Sequence, residues 1–220
     1  MRVDLRLYAL IDPQRANGRD LAELARLVVE GGTTLVQLRD KTGSTRQLIE
    51  EARAIRAALT GTGVPFLVND RVDVALAAKA NGVHVGWDDV APADARLLLG
   101  SRAIIGMSIK TLQQAQDAPL EHLDYVCIGG VYETMSKDNP DPPIGADGLR
   151  AIAAVIRKRA PQMPVGAIAG IDGSNVANTI AVGADGVAVI SALSMAPDPK
   201  AAAQSLRKVI DVARTKRGAA

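Results

Sequence analysis

The chain has 220 residues, a mass of 23.0 kDa and 48% hydrophobic residues, enough apolar material for one large core in a single domain. Its 26 Lys+Arg stand against 24 Asp+Glu, a net charge of +2, which excludes an acidic or basic tail and any general electrostatic pull toward nucleic acid. Aromatic residues are 2%, too few for a protein that stacks bases, and no run of 18 apolar residues is present to span a membrane.

The N-terminal stretch, Met1 to Tyr8, interleaves charges with strand-like residues. It lacks the apolar core of a signal peptide, so the sequence reads as cytoplasmic. Short β-branched runs then recur at 5–11, 34–38, 65–68, 82–85, 103–106, 125–129, 164–168 and 186–190. Between them lie segments with helical spacing, such as Leu21-Leu24-Ala25-Val28 and Leu48-Ala52-Ile55-Leu59. Continuous apolar runs of this kind suit strands buried on both faces of a parallel sheet. The sixth run contains the one cysteine, Cys127. A single cysteine excludes an internal disulfide framework and a multi-Cys metal site, and its apolar setting predicts a small buried hydrophobe.

A local echo supports repetition: Ala80-Asn81-Gly82-Val83-His84-Val85 resembles Ala184-Asp185-Gly186-Val187-Ala188-Val189. Eight strand–helix units in 220 residues give about 27 residues each, which predicts a (β/α)8 TIM barrel in one domain, 1–220. The rival is a doubly wound open sheet. Against it, the first strand leads into Asp12-Pro13-Gln14-Arg15 rather than Gly-x-Gly-x-x-Gly, and no Walker A motif is present. The Pro-rich segment Asp138-Asn139-Pro140-Asp141-Pro142-Pro143 falls at a β-to-α position and reads as a mobile loop, not a domain boundary.

Functional groups of such a barrel collect at the C-terminal ends of its strands. The second run ends in Gln37-Leu38-Arg39-Asp40-Lys41, where alternation puts Gln37, Arg39 and Lys41 on one side. Two cations and an amide suit a phosphate or pyrophosphate, and a solvated turn suits the same residues. The third run ends in Asn69-Asp70-Arg71 and the fourth in Gly86-Trp87-Asp88-Asp89. Asp70 and Asp89 at adjacent strand ends fit a shared Mg²⁺, and each alone fits a helix N-cap. The fifth run ends in Gly106-Met107-Ser108, read as a hydroxyl at a helix entrance. The sixth leads into Gly129-Gly130 and then Thr134-Met135-Ser136-Lys137, again suited to an anion. Gly170 after the seventh run and Ile190-Ser191 after the eighth lie where barrels form a backbone phosphate cradle. Gly170 also reads as an ordinary turn glycine. His84 and His122 receive no role. Two anion stations, a metal and no nucleophile–base pair predict transfer chemistry with a departing diphosphate.

Taken in order, these segments resemble the thiamine phosphate synthase family over about residues 7–213. The landmarks are Gln37 to Lys41, Asn69-Asp70-Arg71-Val72-Asp73, Gly82-Val83-His84-Val85-Gly86 with Asp88-Asp89, Ile105-Gly106-Met107-Ser108, Thr134 to Lys137, and Ala184 to Ser191. The resemblance implies joining of 4-amino-2-methyl-5-hydroxymethylpyrimidine diphosphate to 4-methyl-5-(2-phosphoethyl)thiazole, with release of pyrophosphate. It implies that Gln37, Leu38, Arg39, Asp40, Lys41, Asn69, Ser108 and Lys137 hold the pyrimidine diphosphate, and that Asp70 and Asp89 hold Mg²⁺. Thr134, Met135 and Ser136 would meet the thiazole, and Gly170, Ile190 and Ser191 its phosphate. Arg39, Lys41, Ser108 and Lys137 would carry catalysis. The implied mechanism is dissociative, with a ring nitrogen as nucleophile, which accounts for the missing general base. The implied partners are the two small molecules, without nucleic acid or membrane, and a homo-oligomer is compatible with the fold.

Some positions depart from the family pattern. Gly129-Gly130 stands for Gly-Pro, Ser136 for a threonine, Ala169-Gly170 for Gly-Gly, and Trp87 for a residue that is commonly polar. A thiazole tautomerase of the same superfamily is the nearest rival. Lys110 at its expected His position disfavours that reading. A non-catalytic phosphate binder is the second rival, and the retained Arg39, Lys41, Asp70, Asp89 and Lys137 argue against it.

Overall fold

The computed structural model describes residues 3–134 and 142–219. Among them eight strands pair in parallel and in sequence order, and the last closes on the first. They are β1 (Leu7–Ile11), β2 (Leu35–Leu38), β3 (Phe66–Asn69), β4 (Gly82–Val85), β5 (Ile104–Ile109), β6 (Tyr125–Gly129), β7 (Val165–Ile168) and β8 (Gly186–Val189). The helices are α1 (Leu21–Glu30), α2 (Thr45–Ala58), α3 (Val72–Ala78), α4 (Pro92–Leu99), α5 (Leu112–Asp117), α6 (Gly145–Arg159), α7 (Val176–Ala181), α8 (Ser191–Ser194) and α9 (Pro199–Gly218). This is the predicted (β/α)8 barrel. The open-sheet rival fails because β8 pairs with β1 through Leu7–Val187, Tyr8–Ala188 and Ala9–Val189.

Alternation along each strand divides the core in two. Leu7, Ala9 and Ile11 of β1 face the helices and join Leu24, Ala25 and Val28 of α1. Tyr8 and Leu10 face the barrel interior with Leu35, Leu67, Tyr125, Cys127, Ile168 and Ala188. Cys127 is thus the small buried hydrophobe its setting predicts. Two details differ from the sequence reading. β5 runs on to Ile109, so Ser108 lies within the strand, and the hydroxyl that enters the helix is Thr111, whose side chain caps α5. The segment after β8 splits into the short α8 and the long α9, with Asp198 capping the latter. Among the described residues no helix is long and apolar enough to cross a membrane.

Candidate active site at the barrel mouth

The ends of β2, β3 and β4 build one side of the mouth. Gln37 points inward and is buried, and its Nε2 donates to the Tyr8 hydroxyl. Leu38 turns the other way, into the core beneath the helices, so only its backbone faces the mouth. Arg39 and Lys41 diverge. Arg39 Nη1 donates to Asp12 Oδ2 at 2.5 Å, toward β1, and Lys41 Nζ donates to Asp70 Oδ2, toward β3. Asp12 is 2% exposed. Its other oxygen accepts from Gln14 N at 3.0 Å, starting a short turn at Pro13–Arg15. Asp12 therefore holds Arg39 in place, a role the sequence reading missed; a carboxylate directly after the first strand was the available signal. Asp40 folds its own loop: Oδ1 accepts from Thr42 N at 2.8 Å and Gly43 N at 3.0 Å.

The capping alternative for the two mouth carboxylates does not hold. The N-cap position of α3 is Arg71 and that of α4 is Ala91, neither with a side-chain cap. Asp89 Oδ2 instead accepts from Gly86 N at 2.7 Å and closes the turn after β4. Asp70 holds a left-handed backbone, φ 60°, a conformation aspartate tolerates at some cost. Its backbone N–H donates to His84 O at 2.8 Å, which fixes that turn against β4. The carboxyl of Asp89 lies near enough to that of Asp70 to act on it electrostatically. Burial, with Asp89 adding to it, raises the Asp70 pKa above its ordinary 3.8 even though Lys41 pulls it down. Two hard oxygen donors crowded together under burial fit a divalent cation such as Mg²⁺, which takes few protein ligands and fills the rest with water and substrate oxygens. Among the described residues no larger group of His, Cys, Asp and Glu gathers as a metal site. Asn69, the last residue of β3, is half-buried and lies beside His84 in the register.

The opposite side of the mouth holds a cavity of about 490 Å³, lined by Thr134, Gly170, Ile190 and Ser191 together with Arg15 and Asp172. Four predicted contacts for the thiazole phosphate thus share one wall. Gly170 is required there. Its φ is +64°, and a Cβ would lie 2.2 Å from Glu133 O. The neighbouring Ala169 takes φ 86°, so the departure from Gly-Gly leaves an alanine in a glycine conformation. Arg15 was not foreseen as a lining residue; it reaches the cavity from the turn after β1. Met135, Ser136, Lys137 and most of the Pro-rich segment lie outside the described residues.

A polar chain crosses the interior below the mouth. Tyr8 and Tyr125 hydroxyls are 2.9 Å apart. Tyr125 lies 2.9 Å from His84 Nδ1, and His84 Nε2 lies 2.9 Å from Ser108 Oγ. Gly106 makes room for it, since a Cβ there would meet Tyr125 Cζ at 2.0 Å. The sequence reading gave these tyrosines and His84 no role; tyrosines on apolar strands of an aromatic-poor chain were the available signal.

Comparison with known proteins bears on this arrangement. The profile of a family described as thiamine monophosphate synthase matches residues 7–193. A thiamine-phosphate synthase of Agrobacterium fabrum is 52% identical over 212 residues, covering 96% of both chains. One from Moorella thermoacetica is 43% identical over 210 residues, covering 96% of this chain and 98% of its own. A thiamine phosphate pyrophosphorylase structure from Pyrococcus furiosus superposes with a TM-score of 0.82 at 34% identity, covering 96% of this chain and 98% of its own. With its closed barrel and its paired mouth stations, the chain belongs to the thiamine monophosphate synthase family.

Proposed function

We infer that the protein is a transferase that forms thiamine phosphate and pyrophosphate from 4-amino-2-methyl-5-hydroxymethylpyrimidine diphosphate and 4-methyl-5-(2-phosphoethyl)thiazole. The observation that carries the reading is the pairing of Lys41 with Asp70 near Asp89, with a cavity of about 490 Å³ across the mouth. The barrel, 1–220, works as one unit in the cytoplasm.

The pyrimidine diphosphate lies against β2 to β5, with Gln37, Asn69 and Ser108 beside the ring and first phosphate. Leu38 and Asp40 contribute backbone and loop shape. Arg39, Lys41 and Lys137 face the diphosphate. The thiazole phosphate fills the cavity, where Gly170, Ile190 and Ser191 meet its phosphate and Thr134, Met135 and Ser136 its ring. Asp70 and Asp89 hold Mg²⁺, which when bound screens the charge gathering on the leaving group. Lys41, paired with Asp70 in the free protein, turns to the diphosphate once that carboxylate is engaged elsewhere. The C–O bond to the diphosphate breaks and its electron pair leaves with pyrophosphate. The cations near β2 stabilise that charge. The thiazole nitrogen lone pair then forms the new C–N bond. No residue need remove a proton, because the attacking atom is a ring nitrogen that carries a free lone pair.

The test is a product assay with both substrates and Mg²⁺, and an EDTA control. Thiamine phosphate and pyrophosphate should appear in equal amounts and vanish with EDTA. Binding of the thiazole phosphate without product would instead indicate a tautomerase or a silent binder, separated by assaying isomerisation of the thiazole carboxylate precursor.

A further inference from the structure

Tyr8, Tyr125 and His84 connect two side chains at opposite ends of the pyrimidine station. The order is Gln37, Tyr8, Tyr125, His84, Ser108, and each neighbour in it is a hydrogen-bond partner of the next. The tyrosines are 1% and 0% exposed and His84 is 5% exposed, so water does not interrupt the chain.

Counting hydrogens gives the chain a direction. Gln37 Nε2 supplies the first one to the Tyr8 oxygen. With Tyr8 accepting from Gln37, its own hydrogen is assigned to the 2.9 Å contact with Tyr125, and that of Tyr125 to His84 Nδ1. An accepting Nδ1 requires the ring hydrogen on Nε2, which donates to Ser108 Oγ. Ser108 accepts there, and its own hydroxyl hydrogen remains for the mouth. At the other end Gln37 Oε1 is buried with no hydrogen-bond partner among the described residues. A buried acceptor in that condition calls for a donor from a ligand. Burial also raises both phenol pKa values well above 10.0, so both keep the hydrogens the chain needs.

We propose that Tyr8, Tyr125 and His84 are positioning residues that polarise the pyrimidine station, presenting an acceptor at Gln37 and a donor at Ser108. The inference rests on the substrate reading above. The ring amino group of the pyrimidine diphosphate supplies the donor that Gln37 Oε1 lacks. Its diphosphate oxygens accept from Ser108. The reverse polarity would set an amide NH₂ against an amino group and a hydroxyl oxygen against an anion, so the relay discriminates against ring substituents that only accept.

Two measurements test it. The chain has two histidines, His84 and His122, so ¹⁵N imidazole spectra of the substrate-free protein contain two rings, assigned with His122→Gln. The hydrogen of His84 is expected on Nε2, with Nδ1 a hydrogen-bond acceptor whose signal shifts in Tyr125→Phe. A hydrogen on Nδ1 overturns the polarity. In steady-state kinetics, Tyr125→Phe and Tyr8→Phe should each lower kcat/KM for the pyrimidine diphosphate about tenfold, the effect of one hydrogen bond, with KM for the thiazole phosphate unchanged. An unchanged kcat/KM, or equal losses for both substrates in a folded variant, overturns the positioning role. A parent protein that makes no thiamine phosphate defeats the functional reading alone. The spectra need no turnover and still decide the relay.

Discussion

Asp70 combines a left-handed backbone with a carboxyl near that of Asp89, and its pKa is raised above 3.8, first by burial. A raised folded value means the folded state binds more protons than the unfolded chain. Its contribution to stability is therefore fully present below pH 3.8 and lost as the pH rises through the folded value. Asp70→Asn keeps a residue that tolerates this backbone and removes the charge. Without metal at pH 7 it should melt at or above the parent temperature, the gap closing as the pH falls toward 3.8. Its Mg²⁺-dependent turnover should fall about 10²-fold or more. Calorimetry across pH and turnover against Mg²⁺ check both halves, and normal Mg²⁺-dependent turnover would end the metal assignment. Gly170→Ala forces a Cβ to 2.2 Å from Glu133 O at φ +64°. It should cost about 1–3 kcal/mol in urea unfolding. It should raise KM for the thiazole phosphate more than for the pyrimidine diphosphate; equal rises would make Gly170 a turn residue only.

At the scale of elements, acidic residues divide by job. Asp20 accepts from Glu23 N at 2.8 Å and caps α1, and Asp198 accepts from Ala201 N at 3.0 Å and caps α9. Asp70 and Asp89 precede helices without capping them. Asp20→Ala should thus cost about 1 kcal/mol of stability and leave kcat/KM for both substrates unaltered, read from a urea titration beside the product assay. Loss of activity in a folded Asp20→Ala protein would contradict that division. The strands were legible from their apolar runs, because both faces of each are buried. The end of β5 was not. Gly106 looks like a terminus in sequence, but it is mid-strand, where the ring of Tyr125 occupies the volume of a side chain. Likewise Arg39 and Lys41 were legible as cations, while the carboxylates that draw them apart, Asp12 and Asp70, come from the strands on either side of β2.

Over the whole molecule, chemistry and stability occupy opposite ends of the barrel. At the N-terminal end of β7 and β8, Asp185 accepts from Val165 N at 3.0 Å, Arg217 at 2.7 Å and Arg157 at 3.2 Å. It ties α6 and α9 to the sheet with little exposure. Asp185→Ala removes the acceptor of Val165 N and the carboxylate partner of both guanidiniums, which keep only backbone carbonyls, and should cost about 1.5–3 kcal/mol, since the lost bonds involve charge. Turnover per folded molecule should not change, because the mouth lies at the other end. A large loss of kcat at full folding would show that the two ends are coupled.

The sequence by itself determined the barrel, its repeat and the segments that reach its mouth, because those follow from strand-length apolar runs, helical spacing and short motifs read along the chain. It also determined the reaction class, through residues that lie close together in the chain. The tertiary structure alone decided which carboxylates cap helices and which crowd each other, which side of β2 each cation turns to, and that Gln37, Tyr8, Tyr125, His84 and Ser108 form one chain. Those five residues come from five strands. Their partnership depends on barrel closure and register, which place residues far apart in sequence within hydrogen-bonding distance and leave no trace in local spacing.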